Sequence, residues 1–154
     1  MIKGLAEERG FRAVIEAPVT GGQVDVGLYR DELSIACEIS VTSTASYEAQ
    51  NLAKCLAGGF TYVFAVANDA KRLRAIEKAA CAQLLEEDLA NVFFLTPDTV
   101  AATLDEFAKP AETTTVVRGY KVKVSRTKVG ASEGADRRET IAKIVAKSLR
   151  NLPK

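Results

Sequence analysis

The segment "FRAVIEAPVTGGQVDVGLYRDELSIACEISV", residues 11–41, constrains the fold more than any other part of the chain. Three runs rich in strand-forming residues are separated only by "TGGQ" and "RDE". Connections that short cannot cross over a sheet, so the three strands must be antiparallel neighbours in a meander. The third run, "LSIACEISV", is nearly continuous in apolar residues, as expected of a strand buried on both faces. Yet it contains Glu38 and Ser40. An unpaired, desolvated carboxylate is costly, so Glu38 needs a partner.

Beyond the meander the periodicity changes. "STASYEAQNLAKCLAGG" reads as a helix, with hydroxyls suited to its N-cap and Gly58-Gly59 suited to its C-terminal end. "FTYVFAVA" is a buried strand reached through that helix and therefore parallel to the strand before it. Asn68 or Asp69 caps a helix over residues 70–87, with Leu73, Ile76, Ala80 and Leu84 on one face. "NVFFLT" is a further buried strand, and "PDTVAATLDEFAK" a helix opened by Pro97. Residues 1–9 read as the end of a helix stopped by Gly10. The expected class is α/β, a mixed central sheet with an α-β-β-β-α-β core and helices on both faces.

Pro110 and the threonines after it mark a boundary between a core over residues 1–109 and an extension over 110–154 packed on the same domain. In the extension "TTVVRGYKVKVSR" alternates as one strand or a hairpin, and "RRETIAKIVAKSLRNL" is an amphipathic helix, giving a β-α appendix. Charge divides at the same place. Residues 1–109 hold 10 Lys and Arg against 16 Asp and Glu, a net of −6; residues 110–154 hold 11 against 4, a net of +7. A basic segment on an acidic body is suited to a polyanion. Lys121 and Lys123 fall at alternate positions of the strand, and Lys143, Lys147 and Arg150 line one side of the helix, whose packing face is Ile141, Ile144, Val145 and Leu149. Such cations neutralise phosphates without reading base sequence.

Several chemistries are excluded. The chain of 154 residues has no histidine, which removes Ser-His and Cys-His nucleophile mechanisms and the imidazole base. Cys37, Cys55 and Cys81 have no CxxC spacing and read as buried, reduced thiols rather than zinc ligands or a disulfide framework. No GxGxxG or GxxxxGK[ST] loop follows a strand, which argues against a nucleotide-binding α/β fold. No apolar run is long enough to cross a bilayer and no signal-peptide core opens the chain, so the expected location is cytoplasmic, away from membranes. The chemistry left open is that of carboxylates, lysine, hydroxyls or a metal held by oxygen ligands.

Strand alternation gathers such groups. Ile35, Cys37, Ile39 and Val41 share one face, which reads as core, while Ala36, Glu38 and Ser40 share the other. On the preceding strand Val24, Val26 and Leu28 form one face, and Asp25, Gly27 and Tyr29 the other. If the polar faces coincide, Asp25 and Glu38 converge, and two converging carboxylates require a proton or a cation between them. Mg²⁺, held by one or two carboxylates and water, is the economical choice. On the next helix Gln50, Lys54, Tyr47 and Asn51 fall on a stripe about 100° wide, opposite Leu52, Leu56, Ala49 and Ala53. That stripe faces either the carboxylates or solvent.

The order helix, three-strand meander, helix, strand, with Asp on the second strand and Glu on the third, resembles the PD-(D/E)xK nuclease superfamily, the restriction-endonuclease-like fold. "GGQVDVGLYRDELSIACEIS" is similar to its carboxylate segment, and the likeness covers roughly residues 1–95. The resemblance implies a Mg²⁺- or Mn²⁺-dependent endonuclease acting on DNA, with Asp25 and Glu38 as metal ligands. Glu8 or Glu7 would match an acid on the first helix, and Glu16 is a further acid near the site. The motif lysine should stand two residues after Glu38, where this chain has Ser40. In some members the lysine comes from the following helix, which gives Lys54 that role. Gln50 and Asn51 would then orient a phosphate or water, and Ser40 and Tyr47 would border the substrate. A non-cleaving module of the same fold that binds nucleic acid or protein is the alternative. Pairing into a homodimer, or a place in a larger DNA-processing parent such as a helicase or ATPase, stays open.

Overall fold

A computed structural model describes residues 1–109 in full and, beyond them, the backbone of two strands at 112–117 and 120–125. The chain begins with α1 (Ile2–Glu7), which Gly10 terminates in a left-handed conformation, φ 79°. The meander is built from β1 (Arg12–Val19), β2 (Gly22–Arg30) and β3 (Leu33–Ser40). Both hairpin loops have two residues, since Val19 pairs with Gly22 and Arg30 with Leu33. The first turns through Gly21 at φ 88°, and the second through Asp31 at φ 53°, a conformation that aspartate tolerates better than most residues.

α2 (Ala45–Ala57) is capped by Thr44, whose side chain accepts from the Tyr47 N–H. It returns the chain to β4 (Tyr62–Ala67), parallel to β3, and β5 (Val92–Leu95) adds in parallel beyond it. The strand order β1-β2-β3-β4-β5 makes a mixed five-stranded sheet. The expected helix over 70–87 is divided. α3 (Ala70–Gln83) stops where Leu84 and Leu85 become extended, and a short α4 (Glu86–Leu89) comes after it. Leu84 and Leu89 both pack against the α2/α3 side of the core, so the break serves two separated apolar anchors that one straight helix would not deliver. α5 (Pro97–Ala108) opens on Pro97, with the Thr96 N–H donating to Thr99 Oγ1 at 3.0 Å.

Helices cover both faces of the sheet, as the α/β reading requires. On one face Ile2 and Ala6 of α1 and Val100, Leu104 and Phe107 of α5 pack on Leu28, Ile35 and Phe64. Phe93 meets Phe64 and Phe107 edge-on, with ring centroids 5.7 Å apart in each pair. On the other face Ala49, Leu52 and Cys55 of α2 and Ile76 and Ala80 of α3 cover Ala36, Val63 and Ala65.

Two facial assignments differ from simple alternation. Ile35 and Cys37 are fully buried, but Ile39 is 43% and Val41 71% exposed, where they line an open cavity at the end of the strand. Val24 packs on the α2/α3 side whereas Val26 and Leu28 pack on the α1/α5 side. The change of face falls beside Glu16 of β1, which has φ 51°. A left-handed residue bends its strand and re-aims the side chains around it, so the period of two fails there. The extension contributes β6 (Glu112–Val117) and β7 (Tyr120–Ser125), an antiparallel hairpin that forms a separate two-stranded sheet. The expected helix of the extension lies outside the described residues.

Candidate active site

The candidate site forms where β2 and β3 part company. Their ladder runs from Arg30↔Leu33 to Val26↔Cys37. One more rung would set Asp25 opposite Glu38. Instead the Ile39 N–H donates to Asp25 Oδ2 at 2.7 Å, so a side-chain carboxylate takes the place of a backbone acceptor. Asp25 Oδ1 has no hydrogen-bond partner among the described residues.

Glu38 answers the demand for a partner from the opposite direction. It is 6% exposed, on the α2 side of β3. The Cys55 thiol donates to Glu38 Oε1 at 3.3 Å, and Lys54 Nζ lies 3.8 Å from the same oxygen. Lys54 is held there by donating to the Gln23 carbonyl at 2.9 Å and to Asn51 Oδ1 at 3.3 Å. Burial pushes the Glu38 pKa above the ordinary glutamate range; the Cys55 hydrogen bond and the Lys54 charge pull it back, and the Asp25 and Glu48 charges raise it further. Burial, with the Glu38 charge next, raises the Cys55 pKa well beyond that of a free thiol, so Cys55 stays protonated and remains a donor.

A second polar group adjoins the first at the end of β3. Ser40 is 5% exposed and accepts from Arg72 Nη1 of α3 at 2.9 Å. The same nitrogen donates to the Ser43 carbonyl at 2.6 Å. The Ser43 hydroxyl donates to Glu48, which is 5% exposed in the first turn of α2. Ser40 also borders an open cavity of about 500 Å³ whose wall includes Asp25, Glu16, Ile15, Ile39 and Val41.

The residues singled out in the sequence separate accordingly. Glu38 and Lys54 are brought together, with Asn51 holding Lys54; Asp25 is exposed on the cavity wall beside Ile39 and acts on Glu38 through its charge. Glu16 reaches the cavity through its left-handed backbone. Ser40 joins the site through Arg72. Tyr47 and Gln50 are exposed, because α2 buries the face of Glu48, Ala49, Leu52 and Cys55 and turns them outward. Glu8, expected as a site acid, is not brought in. The residues of α1 that line the cavity are its first, Met1, Ile2 and Lys3, whereas Glu8 caps the other end and pairs with Arg9 at 3.9 Å. Glu7 pairs with Lys3. Lys121 and Lys123 belong to β7, of which only the backbone is described, and Lys143 and Lys147 lie outside the described residues.

Three participants had no sequence signal. Cys55 read as a buried, reduced thiol, and no motif or spacing singled out Glu48 or Arg72. Each contact spans residues that no local pattern links, 32 positions in the case of Arg72 and Ser40.

The donor set is compatible with a hard divalent cation. Among the described residues no three His, Cys, Asp or Glu side chains gather to cage a metal. Asp25 and Glu38 supply hard carboxylate oxygens, and Mg²⁺ commonly binds one or two carboxylates with water filling the remaining positions. Among the described residues no helix is long and apolar enough to cross a membrane.

No family model and no curated protein matches the chain. A solved crystal structure of a protein of unknown function, AF1548, is similar at 14% identity with a TM-score of 0.45, covering 96% of this chain and 92% of that one. That degree of likeness bears on neither activity nor ligand.

Proposed function

We propose that this chain is a metal-dependent nuclease that hydrolyses phosphodiester bonds of DNA, either alone or as a domain of a larger DNA-processing protein. The observation that carries the reading is the buried Glu38 carboxylate, 3.8 Å from the Lys54 ammonium and within the field of the Asp25 charge. Asp25 and Glu38 would hold Mg²⁺ or Mn²⁺. When bound, such an ion supplies Lewis-acid activation of the phosphate and of a water. Lys54, fixed by Gln23 and Asn51, would offer its charge to the negative charge that builds up during displacement. Burial of Glu38 on the α2 side strengthens its attraction to the Lys54 ammonium. The basic extension would grip the DNA backbone.

A second reading, a non-cleaving module of the same fold, is favoured by a specific feature: Glu38 Oε1 is already engaged by Cys55 and Lys54, and Ser40 occupies the position of the motif lysine. Nicking of supercoiled plasmid with Mg²⁺ or Mn²⁺, run beside Glu38→Gln, separates the two. Metal-dependent nicking that disappears in the variant is expected. DNA binding without nicking at any metal concentration refutes the nuclease reading.

A further inference from the structure

We propose that Arg72, with Ser40 beside it, forms an anion site that takes a phosphate group at the edge of the Asp25–Glu38 site. As a contact to substrate this rests on the nuclease reading; as an anion site it stands on the geometry of Arg72 alone.

Among the described residues Arg72 is a half-buried cation without a counter-ion. Both hydrogen bonds described for it leave from Nη1, and both acceptors, Ser40 Oγ at 2.9 Å and the Ser43 carbonyl at 2.6 Å, are neutral. Among the described residues it forms no ion pair with a carboxylate, in contrast to Arg9, which pairs with both Asp105 and Glu8. The nearest acid in its network, Glu48, is engaged by the Ser43 hydroxyl. A guanidinium carries five N–H donors, so most of its donor capacity is not used by the described protein groups.

The two neutral acceptors hold the planar fork in place, and the remaining donors suit two oxygens of a tetrahedral anion. Ser40, which Arg72 holds, stands two residues after the buried Glu38 on the same strand. The arrangement therefore makes sense where a cation must draw an anion toward acids that would otherwise repel it. Ser40 both accepts from Arg72 and borders the cavity that Asp25 lines, which sets Arg72 at the same end of β3 as that cavity although it is not part of the cavity wall.

The test uses the full chain, labelled with ¹⁵N, in EDTA so that nothing is cut. Arginine Nε–Hε and backbone amide signals are followed during titration with inorganic phosphate and, separately, with a short DNA oligonucleotide lacking terminal phosphates. Saturable shifts at Arg72 Nε and at the Ser40 and Ser43 amides are expected with both. Arg72→Gln should weaken both affinities about tenfold, the loss of one charge-assisted contact. Arg72→Lys should restore part of it, and Glu38→Gln should not weaken either. For DNA the salt slope of log K should fall by about 0.7–0.9 in Arg72→Gln, the value for one phosphate.

Absence of shifts in the wild type, or equal affinity in Arg72→Gln, overturns the site. Should Arg72→Gln fail to fold, the wild-type Arg72 Nε shift decides alone. Binding of phosphate but not DNA overturns the substrate contact and leaves a site for free phosphate. Plasmid nicking keeps the two proposals distinct. An Arg72-dependent anion site in a protein that never nicks DNA removes the nuclease reading only, and metal-dependent nicking unchanged in Arg72→Gln removes the substrate contact only.

Discussion

Replacing Lys54 by methionine keeps an unbranched stem over α2 but deletes the ammonium 3.8 Å from Glu38. At that distance, with an effective dielectric of about 20, the two charges attract by about 4 kcal/mol. Desolvation offsets part of this, and the Lys54 side chain keeps 22% of its surface in water. The net loss at pH 8 should therefore be about 2–3 kcal/mol, at or below the lower end of the range for breaking a buried pair. The pH dependence is the stronger expectation. Glu38 has a raised pKa in the fold, so the folded protein binds a proton that the unfolded chain has released, and stability falls as pH rises through the folded pKa. Lys54 limits that fall, since its charge lowers the Glu38 pKa. Without it the fall is deeper. At pH 4.5, the ordinary glutamate value, Glu38 is mostly protonated in both proteins. There the variant should lose mainly the hydrogen bonds to Gln23 and Asn51, about 0.5–1.5 kcal/mol, and less than it loses at pH 8. Urea unfolding at the two pH values measures both quantities, and the pH-dependent part should vanish when Glu38→Gln is added. Equal destabilisation by Lys54→Met at pH 8 and 4.5 would refute the coupling.

Asp25→Asn retains an oxygen to accept from Ile39, so its melting temperature should stay close to that of the wild type while calorimetric Mn²⁺ binding is lost. Asp25→Ala should in addition lose about 0.5–1.5 kcal/mol with that hydrogen bond, since water reaches the freed N–H, and unchanged Mn²⁺ binding in either variant would remove Asp25 from the site. Gly27→Ala would place a Cβ 2.8 Å from both Ala17 Cβ and the Tyr29 hydroxyl, and should cost about 1–3 kcal/mol in chemical denaturation; full stability would show that β1 and β2 yield easily there. Deleting residues 110–154, which carry a net charge of +7, should weaken DNA binding and flatten its salt dependence in a filter-binding series, and equal affinity without them would leave the extension no role in DNA binding.

The sheet was legible because its determinants are local. Two-residue loops force β1, β2 and β3 into a meander, and an intervening helix forces β4 to run parallel to β3. Alternation and helical period were enough to bring Glu38 and Lys54 together. They failed where geometry departs from its average. Glu16 at φ 51° shifts Val24 to the other face, and Leu84 leaves the helix its spacing suggested. Ile39 and Val41 look like core in sequence, but they line an open cavity, which no property of the strand records. Arg72, Glu48 and Cys55 were hidden for the same reason. Their roles arise from contacts between elements rather than from position within one.

The bond between Asp25 and the Ile39 N–H has a consequence for how this site can be observed. Every rung of the β2–β3 ladder from Arg30 to Val26 is made by peptide groups, whose strength is fixed by the backbone. The rung at Ile39 is made by a carboxylate, and its strength depends on whatever else that carboxylate touches. A cation drawing on Asp25 competes with the amide for electron density, and a substitution there removes the acceptor altogether. The Ile39 amide is therefore a built-in gauge, and its proton shift and hydrogen-exchange rate register the occupancy of Asp25 without any label, substrate or turnover.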